Sequence, residues 1–165
     1  VAHRVRSHRG SSASSKGALS VRVLLDTNVL ISALFWRGDP YRIWLMVRSK
    51  AVRCVTSEIL LRELREVLTR PSGRFRLTPS EFQRVERQIR GSCRMTAGRS
   101  HLDIVEDEAD NRVLEAALDS RADFIVTGDA ELLRVEKLRG IRIVTPAQAW
   151  QELSALPRPH RRKRK

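Results

Sequence analysis

The sequence predicts an α/β fold of three layers, with helices on both faces of a central parallel sheet of four or five strands. Three observations lead there. Short runs of β-branched and aliphatic residues, each of strand length, recur along the chain and alternate with stretches of helical periodicity. Gly, Pro and Ser/Thr signals fall between them. A chain of 165 residues that is 41% apolar is long enough to bury one core of that kind.

The first run is Val21–Leu25. It ends at Asp26-Thr27-Asn28, where Asp26 or Thr27 caps a helix through Leu34. After a Gly38-Asp39-Pro40 break, Tyr41, Trp44, Leu45 and Arg48 stand at helical spacing. Ala51–Val55 is the second strand, and Ser57 caps an amphipathic helix to about Leu68 that Pro71 and Gly73 close. Thr78-Pro79-Ser80-Glu81 opens a more polar helix carrying Phe82, Val85 and Ile89, read as lying on the surface. No element is assigned between Gly91 and Gly98. A helix over Asp110–Leu118, a strand over Asp123–Thr127, a short helix over Asp129–Val135, a strand over Ile141–Val144 and a helix from Pro146 through Leu153 complete the pattern. Strands separated by helices in this way pair in parallel.

Charge is distributed unevenly. The formal net charge is +13, from 32 basic and 19 acidic residues. Residues 1–20 contribute four basic and no acidic residues, and residues 156–165 contribute six and none. Without these ten, the stretch 21–155 holds 22 basic and 19 acidic residues, a net of +3. The expected organisation is a disordered basic leader (1–20), a folded domain (21–155) and a disordered basic tail (156–165), the two ends being suited to polyanions. No apolar run approaches the roughly 18 residues of a membrane helix. The first twenty residues carry no apolar segment of a secretory signal, so a cytoplasmic location is expected. Two cysteines make no disulfide framework and lack metal spacing, and Cys54 reads as a reduced thiol in an apolar strand.

In open parallel sheets ligands gather beyond the carboxyl ends of the strands, and two acids stand there. Asp26 follows the first strand directly, and Asp129 follows the third across Thr127-Gly128. Either alone reads equally well as a helix cap. Asp110 shares the line of Val113, Leu114, Ala117 and Leu118, so it is a carboxylate on the core-facing stripe of its helix, costly without a positive partner. In the helix 57–68, Glu63 lies at the edge of the apolar stripe, Glu66 points away from it, and Glu58 sits in the first turn where the dipole alone favours an acid. Four carboxylates meeting in one cleft repel one another, and hard cations such as Mg²⁺ or Mn²⁺ bind such oxygens. A cation held there activates water and stabilises the charge of a phosphodiester displacement. None of the four histidines is required: His3, His8, His101 and His160 read as solvated.

The motifs that carry these acids also carry a resemblance. Residues 23–34 (Val-Leu-Leu-Asp-Thr-Asn-Val-Leu-Ile-Ser-Ala-Leu), Leu61-Arg62-Glu63-Leu64, residues 107–117 and residues 122–133 with their Thr127-Gly128-Asp129 are similar, in order, to PIN-domain proteins, above all to those described as toxin components of toxin–antitoxin systems. The resemblance covers about residues 21–153. It implies a PIN-like fold, a Mg²⁺- or Mn²⁺-dependent endoribonuclease, and metal-binding catalytic acids at Asp26, Glu63, Asp110 and Asp129. It further implies a homodimer, an RNA substrate and a cognate antitoxin protein that holds the toxin inactive. The basic ends depart from the compact family pattern.

Three other readings stand beside it. A haloacid dehalogenase-type phosphatase needs a second Asp where this chain has Asn28. A catalytically silent module that binds RNA or antitoxin has no use for four converging carboxylates. A housekeeping RNA-processing nuclease would use the same acids.

Overall fold

A computed structural model describes residues 21–157. The leader expected at 1–20 and all of the tail beyond residue 157 lie outside the described residues.

The elements run β1 (Arg22–Leu25), α1 (Thr27–Phe35), α2 (Asp39–Arg48), β2 (Arg53–Ser57), α3 (Glu58–Thr69), α4 (Pro79–Ser92), β3 (Cys93–Thr96), α5 (Glu108–Ser120), β4 (Phe124–Val126), α6 (Ala130–Val135), β5 (Lys137–Leu138), β6 (Ile141–Val144) and α7 (Pro146–Ser154). They build one sheet in the order β3-β2-β1-β4-β6-β5, parallel throughout except where β5 runs against β6. The architecture is the expected α/β sandwich, but the sheet has six strands rather than four or five. The two additional strands lie at the edges. Edge strands bury less of their side chains, so β3 (Cys-Arg-Met-Thr) shows little apolar alternation, and β5 is only two residues long.

Side chains alternate across the sheet as the two-residue period requires. Val23 and Leu25 of β1 enter one core with Cys54, Val126 and Val144, covered by α1, α2, α3, α4 and α7. Leu24, Val55, Ile125 and Ile143 enter the other, covered by Val113, Leu114, Ala116 and Ala117 of α5 and Leu132 of α6. The polar helix α4 is anchored more firmly than its sequence indicates. Phe82 and Ile89 are buried in the first core, and Arg90 grips Glu58 of α3 through both guanidinium nitrogens.

Helix starts follow the caps read from the sequence. Asp26 caps α1, Ser57 caps α3, Thr78 and Thr145 close capping boxes on α4 and α7, and Asp129 caps α6. Helix α5 begins two residues before Asp110, capped by Asp107. The reading of Cys54 as a reduced thiol is corrected. The register of β2 on β3 sets Cys54 directly against Cys93, on the face of the first core, and the two are joined as a disulfide. Among the described residues no helix is long and apolar enough to cross a membrane.

Candidate metal centre

The sheet order places the site. The chain leaves β1 toward β2 and β3 on one side and returns to β4 on the other, so the connections diverge between β1 and β4. Helices beginning at the carboxyl ends of those two strands open a crevice between them. Asp26 follows β1 and Asp129 follows β4, and each caps the helix that starts there.

Asp26 is 6% exposed. Its Oδ1 accepts the Val29 N–H at 2.9 Å, and its Oδ2 accepts the hydroxyl of the fully buried Thr127. Burial pushes its carboxyl above the ordinary aspartate value, against the pull of those hydrogen bonds, and Asp129 adds to the rise. The same Thr127 hydroxyl accepts the Asp129 N–H at 3.0 Å, so one side chain fastens both strand ends. Asp129 Oδ1 then accepts Glu131 N–H at 2.8 Å and Leu132 N–H at 3.2 Å.

Glu63, one and a half turns into α3, reaches the site from the other flank. Its Oε2 accepts the hydroxyl of Thr27 at 3.0 Å, which sets it beside the first turn of α1. Burial raises its carboxyl above the usual range, and the neighbouring charges of Asp26, Asp107 and Glu66 raise it further.

Asp110 lies in the first turn of α5, where the preceding loop is pinned by a buried amide. Asn111 Oδ1 accepts Ile104 N–H at 2.9 Å and Val105 N–H at 3.1 Å, and its Nδ2 donates to the Val105 carbonyl at 2.8 Å. Asp110 is pushed up to about 6, first by burial and then by Asp129, Asp107, Glu131 and Asp26 in turn.

The structure thus gathers the predicted acids unequally. Carboxylate oxygens of Asp110, Asp129 and Glu131 lie within 4.8 Å of one another. Asp26 is tied to this group through Thr127, and Glu63 stands outside it, held by Thr27 next to Asp26. Glu131 was not among the residues picked out of the sequence. As an acid in the first turn of a helix it has an ordinary electrostatic explanation there. Only the turn of α6 about Asp129 brings its carboxylate to Asp110. Asp107 was likewise missed, although its charge reaches both Glu63 and Asp110.

No arginine, lysine or histidine forms an ion pair with Asp26, Glu63, Asp107, Asp110, Asp129 or Glu131 among the described residues. Carboxylates without a cationic partner, three of them converging and offering only oxygen donors, fit a hard divalent ion.

A family model described as PIN domain matches residues 22–131, a span that runs from β1 into α6 and contains every one of these acids. The chain belongs to the PIN domain family. One solved structure agrees on its fold. The crystal structure of VapBC2 from Rickettsia felis bound to a DNA fragment from their promoter superposes with a TM-score of 0.55 at 15% identity, covering 76% of this chain and 98% of that one. PAE2754 from Pyrobaculum aerophilum gives a TM-score of 0.48 at 19% identity, covering 88% and 97%. A comparison with curated protein sequences gives no match. Within this PIN domain the extent of the family match also sets β5, β6 and α7 apart: they complete the sheet edge and add to both cores beyond the matched span.

Proposed function

We propose that this PIN domain is a Mg²⁺- or Mn²⁺-dependent endoribonuclease that cuts single-stranded RNA with metal-activated water, acting as the toxin of a toxin–antitoxin pair. The observation that carries the reading is the convergence of the Asp110, Asp129 and Glu131 carboxylates within 4.8 Å beside Asp26, with no ion pair to a cationic side chain among the described residues. Like charges so close are unfavourable on their own and favourable around a cation.

Asp26, Asp110 and Asp129 are the residues assigned to hold the ion, with Glu63 as the fourth acid and Glu131 as an added donor. When bound, the ion supplies Lewis-acid stabilisation of charge on the phosphate and lowers the proton affinity of water. The chain's own groups prepare that chemistry. Thr127 orients Oδ2 of Asp26 and fixes the backbone at Asp129, and Thr27 aims Glu63. Asp110 holds a proton on its carboxylate up to about pH 6 in the absence of the ion and releases it on loading, so binding is coupled to proton release.

The toxin role is supported by the likeness of the 23–34, 107–117 and 122–133 motifs to that group of PIN domains. On this reading the chain works as a homodimer held inactive by a cognate antitoxin. Cleavage of a labelled single-stranded RNA by purified protein, with Mg²⁺, Mn²⁺ or chelator, tests the enzyme. Cleavage that needs the metal and disappears in Asp26→Asn, with an unchanged circular dichroism spectrum, supports it. RNA binding with no cleavage under any metal would assign the chain to the silent binding module instead. Growth arrest on expression, relieved by the product of a small adjacent gene, separates a toxin from a housekeeping nuclease.

A further inference from the structure

At the opposite end of the sheet the electrostatics reverse. Arg22 begins β1 and Arg53 begins β2, and the register sets them directly against each other. Arg94 of β3 lies against Val55, two residues on from Arg53. All three are on the same face: Arg22 shares the parity of Leu24, Arg53 that of Val55, and Arg94 alternates with Cys93 and Met95, which turn to the other core. Neighbouring strands are only about 4.8 Å apart, and like charges directly opposite one another are destabilising.

None of Arg22, Arg53, Arg94, Arg99 and Arg121 forms an ion pair among the described residues. Two carboxylates lie close by, and Asp119 itself lines the hollow and interacts with the charge of Arg99. Asp119 accepts the N–H groups of Arg99 and Ser100 and the Ser100 hydroxyl, and Asp123 accepts the Arg22 N–H. The guanidiniums instead line open space. Arg22, Arg94, Arg99 and Arg121 border a cavity of about 430 Å³ beside the carboxyl end of α5, where Thr96 and Ser120 add hydroxyls. A second cavity of about 380 Å³ shares Arg22 and Arg94 and adds Arg53 and Lys50.

We infer that this arginine-lined hollow binds the phosphate backbone of the RNA strand whose cleavage is proposed for the acidic end. The inference rests on that reading for the identity of the polyanion. Guanidinium forks match phosphate oxygens in geometry and charge, and a backbone phosphate removes the Arg22–Arg53 repulsion that the fold otherwise carries. Helix α5 links the two ends, with Asp110 in its first turn and Arg121 just past its last. Eleven residues at the α-helical rise separate them by roughly 17 Å, about five phosphate steps at the 3.4 Å spacing of a helical strand. A single strand of modest length therefore reaches both ends. The acidic end repels RNA until a cation loads, whereas the arginine end attracts it without one.

The test is binding rather than cleavage, so it stands apart from the fate of the nuclease reading. Fluorescence anisotropy with a labelled 20-nucleotide uridine RNA is measured on the full chain in chelator, across a salt series. Arg22→Gln/Arg94→Gln is expected to weaken binding roughly tenfold and to lower the salt slope by about 1.4, the value for two lost single-strand phosphate contacts. Arg84→Gln/Arg87→Gln, which removes the same charge from the exposed side of α4, is expected to change neither. Equal losses in both pairs, or none in the first, overturn the inference. So does a poly-glutamate peptide that binds as tightly and depends equally on Arg22 and Arg94, since it would mark a site for acidic protein. Should the Arg22/Arg94 pair fail to fold by circular dichroism, Arg99→Gln/Arg121→Gln at the rim takes its place with the same expected losses.

Discussion

The hydroxyl of Thr127 donates to Oδ2 of Asp26 across 101 residues of sequence. It joins the carboxyl ends of β1 and β4, which pair in parallel, and the same oxygen receives the Asp129 N–H. Thr127→Val keeps the shape and removes both interactions. It leaves a buried carboxylate short of a partner, which costs about 1–3 kcal/mol. Urea denaturation is expected to show that loss, and Thr127→Ser to recover most of it. Equal stability of the Val and Ser variants would mean that the hydroxyl contributes nothing.

Asp110 gives the pH dependence its sign. Its carboxyl is raised from 3.8 to about 6 in the folded protein, so between those values the unfolded chain gives up its proton first. The contribution of Asp110 to stability is therefore greatest below pH 3.8, falls as pH rises, and becomes a full penalty above about 6. Metal-free protein is expected to gain a few degrees in Tm at pH 7 from Asp110→Asn, with little change at pH 4.

Divalent cations reverse that comparison. Mg²⁺ or Mn²⁺ is expected to raise the Tm of the unaltered chain at pH 7 with the logarithm of its concentration over Kd, and to raise Asp110→Asn much less. Calorimetric titration in two buffers of different ionisation enthalpy should also show proton release on binding. A cation that stabilises both proteins equally would bind elsewhere.

Glu131 and Glu66 separate proximity from composition. Glu131 converges with Asp110 and Asp129, while Glu66 acts on Glu63 only as a neighbouring charge. Glu131→Gln is expected to weaken Mn²⁺ binding about tenfold or more, and Glu66→Gln to leave it within about twofold. Titration calorimetry on both variants decides.

Asn111 is the positioning residue for α5. Three hydrogen bonds from its buried amide hold the turn at Ile104 and Val105. Asn111→Leu strands the two N–H groups and the carbonyl and is expected to cost about 2–4 kcal/mol. Faster amide exchange should appear at residues 104–107, while β1 and β4 keep their protection. Unaltered exchange there would show that the loop is held by other contacts.

The amino-acid order alone specifies the class of fold, because strand-length apolar runs alternating with capped helices admit few arrangements other than a parallel sandwich. It also specifies three of the acids on local grounds. Asp26 follows a strand directly, Asp129 follows one across Thr127-Gly128, and Asp110 stands on an apolar stripe where a lone carboxylate is costly. How those acids meet depends on packing between distant segments. Glu131 joins Asp110 because α6 and α5 start side by side, and Thr27 and Thr127 bond to Glu63 and Asp26 from distant parts of the chain. The edge strands β3 and β5, the Cys54–Cys93 pairing and the facing arginines Arg22 and Arg53 depend likewise on sheet register, which no single strand carries. Periodicity and capping are properties of a few consecutive residues, whereas pairing, burial of a shared hydroxyl and summed charge exist only once separate segments are packed together.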